Sequence, residues 1–196
     1  RRESTIIYPP VEAERFAAQP TARPDDYYLV VSRLIPYKSI DLAVQAFGQL
    51  GLPLLIGGTG RDRARLEGMA TPNVKFLGAV PPGDLPGLMA RCKAFIFPGY
   101  EDFGITPLEA MAAGRPVIAY AAGGALDTVI AGVTGVFFDQ PTPERLAAAV
   151  RRFEDMHFDP GAIRAHAMTF DRSVFEQQMG AFVTRCWENK SVVRSP

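Results

Sequence analysis

From residue 27 to about residue 140 the chain alternates between strand-like and helix-like segments, and this alternation limits the folds open to it. Residues 27–31, 52–56, 74–77, 94–97, 116–120 and 136–138 are short, almost continuously apolar runs. Between them lie segments of helical spacing. In residues 40–50 the apolar positions are 40, 42, 43, 46, 47 and 50, a repeat near that of an α-helix. Residues 62–69, 85–92, 107–113 and 126–131 also read as helices. Continuous apolar strands are buried on both faces, which signals parallel pairing. Right-handed crossovers then wind helices onto both sides of one sheet. The expected fold class is α/β: a doubly wound parallel sheet, Rossmann-like, with helices at its C-terminal end. The run 117–138 has the length of a membrane span, but Asp127 and glycines at 123, 124, 132 and 135 interrupt it. Two strands around a short helix fit it better.

After residue 140 the strands stop. Thr142-Pro143 opens a helix to about 157, with proline at the tolerated first position. Helical stretches at 160–168 and 173–189 follow. In the last, Val174, Phe175, Met179, Phe182, Val183, Cys186 and Trp187 share one face, expected to pack into the core. Residues 1–26, with Tyr8-Pro9-Pro10, Pro20, Pro24, Asp25 and Asp26, read as an interdomain segment and linker. Residues 27–170 form the expected sheet domain, and 171–196 a closing helix and tail. The opening Arg1-Arg2-Glu3 is mid-stream in character, so the chain reads as a piece of a longer protein.

Charge narrows the function. Lys plus Arg and Asp plus Glu both number 21, so no overall field draws the chain to nucleic acid or an anionic membrane. Any bound anion must be held by locally placed groups. Cys92 and Cys186 have neither metal-ligand spacing nor a disulfide framework. Both sit among apolar residues on helical segments and are expected to be buried thiols in a reducing, cytoplasmic setting. His157 and His166 come late and leave little for a histidine-based triad or a zinc site. No metal centre is expected.

Every unusual cluster follows a strand, where ligands bind in doubly wound sheets. Arg33 and Lys38 lie between the first strand and a helix. A planar fork and a point charge there suit a diphosphate, though a solvated loop would carry such a pair equally well. Gly57-Gly58-Thr59-Gly60 follows the next run. Gly58 and Gly60 admit close approach of a ligand, or simply a tight turn. Arg63 stands where a dinucleotide fingerprint needs its third glycine, which weakens a nicotinamide reading. Glu101 and Glu109, with seven residues between them, bracket a Gly104-Ile105-Thr106-Pro107 turn. Free N–H groups at a helix start could hold an anion between two hydroxyl-binding acids. Thr106, Pro107 and Glu109 also spell a capping box, which would account for Glu109 without any ligand. In Ala121-Ala122-Gly123-Gly124-Ala125, small residues leave room for a ligand or a neighbouring loop.

Together these residues resemble the C-terminal donor-binding half of GT-B glycosyltransferases, specifically the retaining group 1 family (GT4). The resemblance runs from Ile7 to Val183 through Ile7-Tyr8-Pro9-Pro10-Val11, Val31-Ser32-Arg33-Leu34 with Lys38, Gly58-Thr59-Gly60 and Asn73-Val74-Lys75-Phe76-Leu77-Gly78. It continues through the Glu101 and Glu109 segment, Ala112-Ala113-Gly114-Arg115-Pro116, Gly123-Gly124 and Gly132-Val133-Thr134-Gly135. It implies that Arg33 and Lys38 hold the donor diphosphate and its developing charge, and that backbone at Gly104, Ile105 and Thr106 meets phosphate and sugar. Glu109 would accept from ribose hydroxyls, Glu101 would contact the sugar near the reacting carbon, and the loop around Val80 would recognise the base. The look is closest to bacterial mannosyltransferases that build surface polysaccharide, so GDP-mannose is the favoured donor and a UDP-sugar the alternative. The implied acceptor is a glycan or lipid-linked, and the full-length protein would work in the cytoplasm at the inner face of the membrane. The acceptor-binding half is absent from this chain, which is therefore expected to bind donor without efficient transfer. A homodimer is expected from apolar surface left open around Trp187 or the Tyr8-to-Val11 stretch. Two other readings keep the same architecture: a non-catalytic nucleotide-sugar-binding module and a sugar-nucleotide epimerase.

Overall fold

The computed structural model describes residues 4–19 and 23–192. The opening Arg1-Arg2-Glu3 and Pro20 lie outside the described residues. In chain order the elements are α1 (Ala13–Ala17), β1 (Tyr28–Val31), α2 (Ile40–Leu50), β2 (Leu54–Gly57), α3 (Arg63–Met69), β3 (Val74–Gly78), α4 (Leu85–Arg91) and β4 (Phe95–Phe97). They continue with α5 (Ile105–Ala112), β5 (Val117–Tyr120), α6 (Ala125–Thr128), β6 (Gly135–Phe138), α7 (Pro143–Glu154), α8 (Pro160–Met168) and α9 (Arg172–Val192). The six strands form one sheet in the order β3-β2-β1-β4-β5-β6, all parallel. Chain order reverses between β1 and β4, so the crevice that such sheets offer to ligands opens at their carboxyl ends.

The sheet is buried on both faces, as the continuous apolar runs require. Successive side chains point to opposite faces. Tyr28, Val30 and Ile96 therefore join one core with Val44, Phe47, Leu146 and Phe153 of α2 and α7. Leu29, Phe95 and Phe97 join the other with Phe16, Met89, Leu108 and Ile163 of α1, α4, α5 and α8. The run 117–138 resolves into β5, α6 and β6. Among the described residues no helix is long and apolar enough to cross a membrane.

The ends of the chain depart from the expectation. Residues 11–17, read as linker, are part of the second core: Val11, Ala13 and Phe16 are buried. Val11 pairs with Asp171, donating to Phe170 O at 3.2 Å and accepting from Arg172 N at 2.9 Å. The Asp171 carboxylate then ties two helices together. It accepts from Glu14 N at 3.2 Å, Ser173 N at 3.0 Å and Ser173 Oγ at 2.8 Å. Burial alone would raise this carboxyl, but these N–H and O–H donors outweigh it and hold it below the usual range. Tyr8 is half-buried, stacked on Phe103 with ring centroids 5.5 Å apart. Within the Tyr8-to-Val11 stretch Val11 is buried and Tyr8 half-buried, while Pro9 and Pro10 are exposed. The apolar residues of α9 are exposed over part of its length. Val183 and Trp187 are open to solvent, Trp187 at 74%, while Val174, Phe175 and Phe182 are half-buried, so the expected face is not buried along its whole length. Cys186 on the same helix is exposed, contrary to expectation, while Cys92 is buried.

Candidate active site

β1 and β4 are in register at Leu29 and Phe95, and a cavity of about 210 Å³ lies at their carboxyl ends, lined by Ser32, Arg33, Lys38, Glu101 and Thr106. Three of these residues come from the loop after β1, one from the loop after β4 and one from α5. The fold thus joins clusters separated by more than sixty residues in sequence.

The two cations share an aromatic support. Arg33 Nη2 donates to Tyr37 Oη at 3.3 Å, and Lys38 Nζ sits 5.1 Å from the centre of the Tyr37 ring. Lys38 Nζ also pairs with Glu101 Oε1 at 2.6 Å, the side chains being only 13% and 23% exposed. Tyr37 was not singled out in the sequence; its position four residues after Arg33 was the available signal. A second cavity, of about 570 Å³, adjoins the first and shares Glu101 and Thr106 with it, adding Tyr37, Tyr100, Gly104 and Ile105.

The capping box is not formed. Helix α5 starts at Ile105, two residues early, after Gly104 in the left-handed conformation (φ 88°), with no side-chain cap. A side chain at 104 would clash with the Phe97 ring, 2.9 Å from the position of its Cβ. Packing of the turn on β4 therefore sets the helix start. Pro107 falls in the first turn, where its missing N–H costs nothing. Glu109 falls in the second turn, beyond reach of the cap, and its carboxylate makes no hydrogen bond or ion pair among the described residues. It is half-buried on the side facing α1. Burial raises its ionisation range, Arg15 partly offsets this, and Glu12 adds to it. Glu109 lines neither of the two cavities.

The glycine clusters support the loops that carry the charged groups. A side chain on Gly58 would strike Ser32 O, and one on Gly60 would strike Leu34 O. Ser32 N donates to Gly57 O at 3.0 Å, and Leu34 N to Thr59 O at 2.9 Å. The Arg33 loop thus lies flat on glycine backbone. Gly123 and Gly124 do the same for the next loop: Gly124 N donates to Glu101 O at 2.8 Å, and side chains there would collide with Glu101 O and with Phe103. Of the two options for the small residues at 121–125, a neighbouring loop is the one observed.

Val80 stands at the end of β2, where a Cβ on Gly57 would lie 2.7 Å from Val80 Cγ2 and 3.4 Å from Val31 Cγ2. It lines a third cavity, of about 480 Å³, with Gln19, Leu77, Asp84 and Arg91. Arg15 of α1 donates to Pro82 O on the same loop. The leading segment thereby reaches the site, a role its sequence did not announce. Among the described residues no group of three or more His, Cys, Asp or Glu could hold a metal ion.

A six-stranded parallel sheet that reverses order between β1 and β4, with flanking helices, is the Rossmann-like architecture of GT-B glycosyltransferase structures. The chain belongs to the glycosyl transferases group 1 family, whose model matches residues 11–167. It is 34% identical over 188 residues to the GDP-mannose-dependent alpha-(1-6)-phosphatidylinositol monomannoside mannosyltransferase of Mycolicibacterium smegmatis, covering 82% of this chain and 48% of that protein. It is also 34% identical over 179 residues to the glycogen synthase of Mycobacterium tuberculosis, covering 84% of this chain and 42% of that one. The chain thus spans about half the length of these relatives. Among solved structures, Anabaena HepE in complex with UDP and glucose superposes with a TM-score of 0.79 at 24% identity, over 92% of this chain and 56% of that one. The sucrose-phosphate synthase of Thermosynechococcus elongatus superposes at 0.73 and 28% identity, over 92% and 50%.

Proposed function

We propose that this chain is the donor-binding half of a retaining glycosyltransferase that moves a hexose from a nucleoside-diphosphate sugar to a glycan or lipid-linked acceptor. The observation that carries the reading is the convergence of Arg33, Lys38, Glu101 and Thr106 on one crevice at the sheet's switch point. Breaking a sugar–phosphate bond leaves negative charge on the diphosphate. Two cations fixed in advance, with N–H groups of the first turn of α5, stabilise that charge as it forms. Glu101, at the border of the two cavities, would take the sugar hydroxyls. Glu109 would take the ribose hydroxyls and Val80 would flank the base, with Gly58 and Gly60 presenting the Arg33 loop to the phosphates. The diphosphate needs no metal where Arg33 and Lys38 meet it.

GDP-mannose is the donor favoured by the mannosyltransferase relative, whose name states GDP-mannose dependence. A UDP-sugar is the second reading, supported by the fold shared with a UDP and glucose complex. The full-length protein would act in the cytoplasm at the inner membrane face, with the acceptor on its other half. Calorimetry tests the reading: the chain should bind GDP or UDP, and Arg33→Ala or Lys38→Ala should each weaken binding by about tenfold, ~1.4 kcal/mol. A folded chain with no affinity for any nucleoside diphosphate sinks it.

A further inference from the structure

We infer that the Lys38–Glu101 ion pair makes the cleft select a donor that still carries its sugar over the spent nucleoside diphosphate. This rests on the reading of the cleft as a donor site. Of the two cations lining the smaller cavity, Lys38 is taken by the carboxylate of Glu101, Nζ to Oε1 2.6 Å. Among the described residues Arg33 donates to the Tyr37 hydroxyl and meets no carboxylate. The pair joins the loops after β1 and β4 and is largely withdrawn from water, so solvent and salt screen it less than a surface pair. An incoming diphosphate must draw Lys38 away from Glu101. That leaves a desolvated carboxylate without its counter-ion, a costly state for a charge in such a place.

A sugar changes the balance. Glu101 stands where the smaller cavity meets the larger one lined by Tyr37, Tyr100, Gly104 and Ile105. A hexose there would donate hydroxyl hydrogen bonds to the carboxylate that Lys38 has left, and hydrogen bonds to a charged acceptor are among the stronger ones. A nucleoside diphosphate that has lost its sugar offers no such donors. Lys38 then returns to Glu101 and the product is released. The pair therefore sets specificity between donor and product, with no bond made or broken at either side chain.

Titration with inorganic pyrophosphate isolates this exchange, because the probe has phosphates and neither sugar nor base. Glu101→Gln should bind pyrophosphate about five to ten times more tightly than the wild type. Lys38→Met in the same chain should erase the gain, the signature of a coupled pair. Equal or weaker binding by Glu101→Gln overturns the inference, and so does a gain that survives in the double variant. If circular dichroism finds Glu101→Gln unfolded, Glu101→Asp, which draws the carboxylate back from Lys38, carries the same comparison with a smaller gain expected. GDP and UDP run alongside separate the two claims. A pyrophosphate gain without nucleotide affinity in any variant upholds the exchange and fails the donor reading. Nucleotide and pyrophosphate binding indifferent to Glu101→Gln upholds the donor reading and overturns the exchange.

Discussion

Glu109 holds an ionisable carboxyl half out of water with no hydrogen-bonding partner among the described residues, and burial raises its ionisation range. The sign of the consequence is fixed. A carboxyl whose folded range lies above its unfolded one favours the fold at acid pH, and the advantage is lost as pH rises through the folded value. Glu109→Gln should therefore raise the melting temperature at pH 7 relative to the wild type, with the difference shrinking towards pH 4; thermal melts across that range check it. Ser39 is the one non-glycine residue with positive φ among the described residues, at 53°, directly after Lys38. Left-handed backbone costs a side-chain-bearing residue about 1–2 kcal/mol, part of which glycine's freedom in the unfolded chain offsets. Ser39→Gly should stabilise by roughly 0.5–1 kcal/mol in urea titrations. The two thiols should also separate. Cys92 is pushed up to about 12 by burial and should resist a thiol reagent until the protein unfolds, while the exposed Cys186 reacts at once.

At the scale of elements, the loops that carry charge depend on the elements beneath them. Asp171 caps the starts of both α1 and α9, and its depressed carboxyl contributes stability only while ionised. Asp171→Ala should cost about 1–2 kcal/mol at pH 7, and the penalty should fade as pH drops through the carboxyl's range, which denaturant titrations at pH 7 and pH 3 would measure. Phe16, fully buried in the stretch expected as linker, should cost about 3–5 kcal/mol as Phe16→Ala; a loss under ~1 kcal/mol would mean that the segment is a connector after all. The helices and strands themselves were readable from apolar spacing, because burial on both faces leaves little choice of pattern. The start of α5 was not. Thr106-Pro107-Leu108-Glu109 carries a sound local signal for a cap, and the contact of Gly104 with Phe97 overrides it.

For the whole molecule, α9 is the element whose expected face is only partly buried. Its apolar positions predicted a face, and periodicity cannot say against what a face is laid. Because Met179 and Val183 are exposed, truncating either to alanine should change stability by less than about 0.5 kcal/mol. Light scattering on the isolated chain tests whether that face pairs with a second copy: a dimer that dissociates on Val183→Asp supports the homodimer, and a strict monomer removes it.

The sequence by itself determined the α/β class, the alternation of elements and the kinds of groups at the strand ends, because these follow from which residues avoid water and at what period. It also supplied Arg33, Lys38 and Glu101 as separate candidates, the two cations with the ordinary explanation of a solvated loop. Only the tertiary structure decided that they meet. Strand order places β1 beside β4, and that adjacency brings the ammonium of Lys38 within 2.6 Å of the Glu101 carboxylate. Distances across a sheet depend on which strands pair, and no local pattern in either segment records its neighbour.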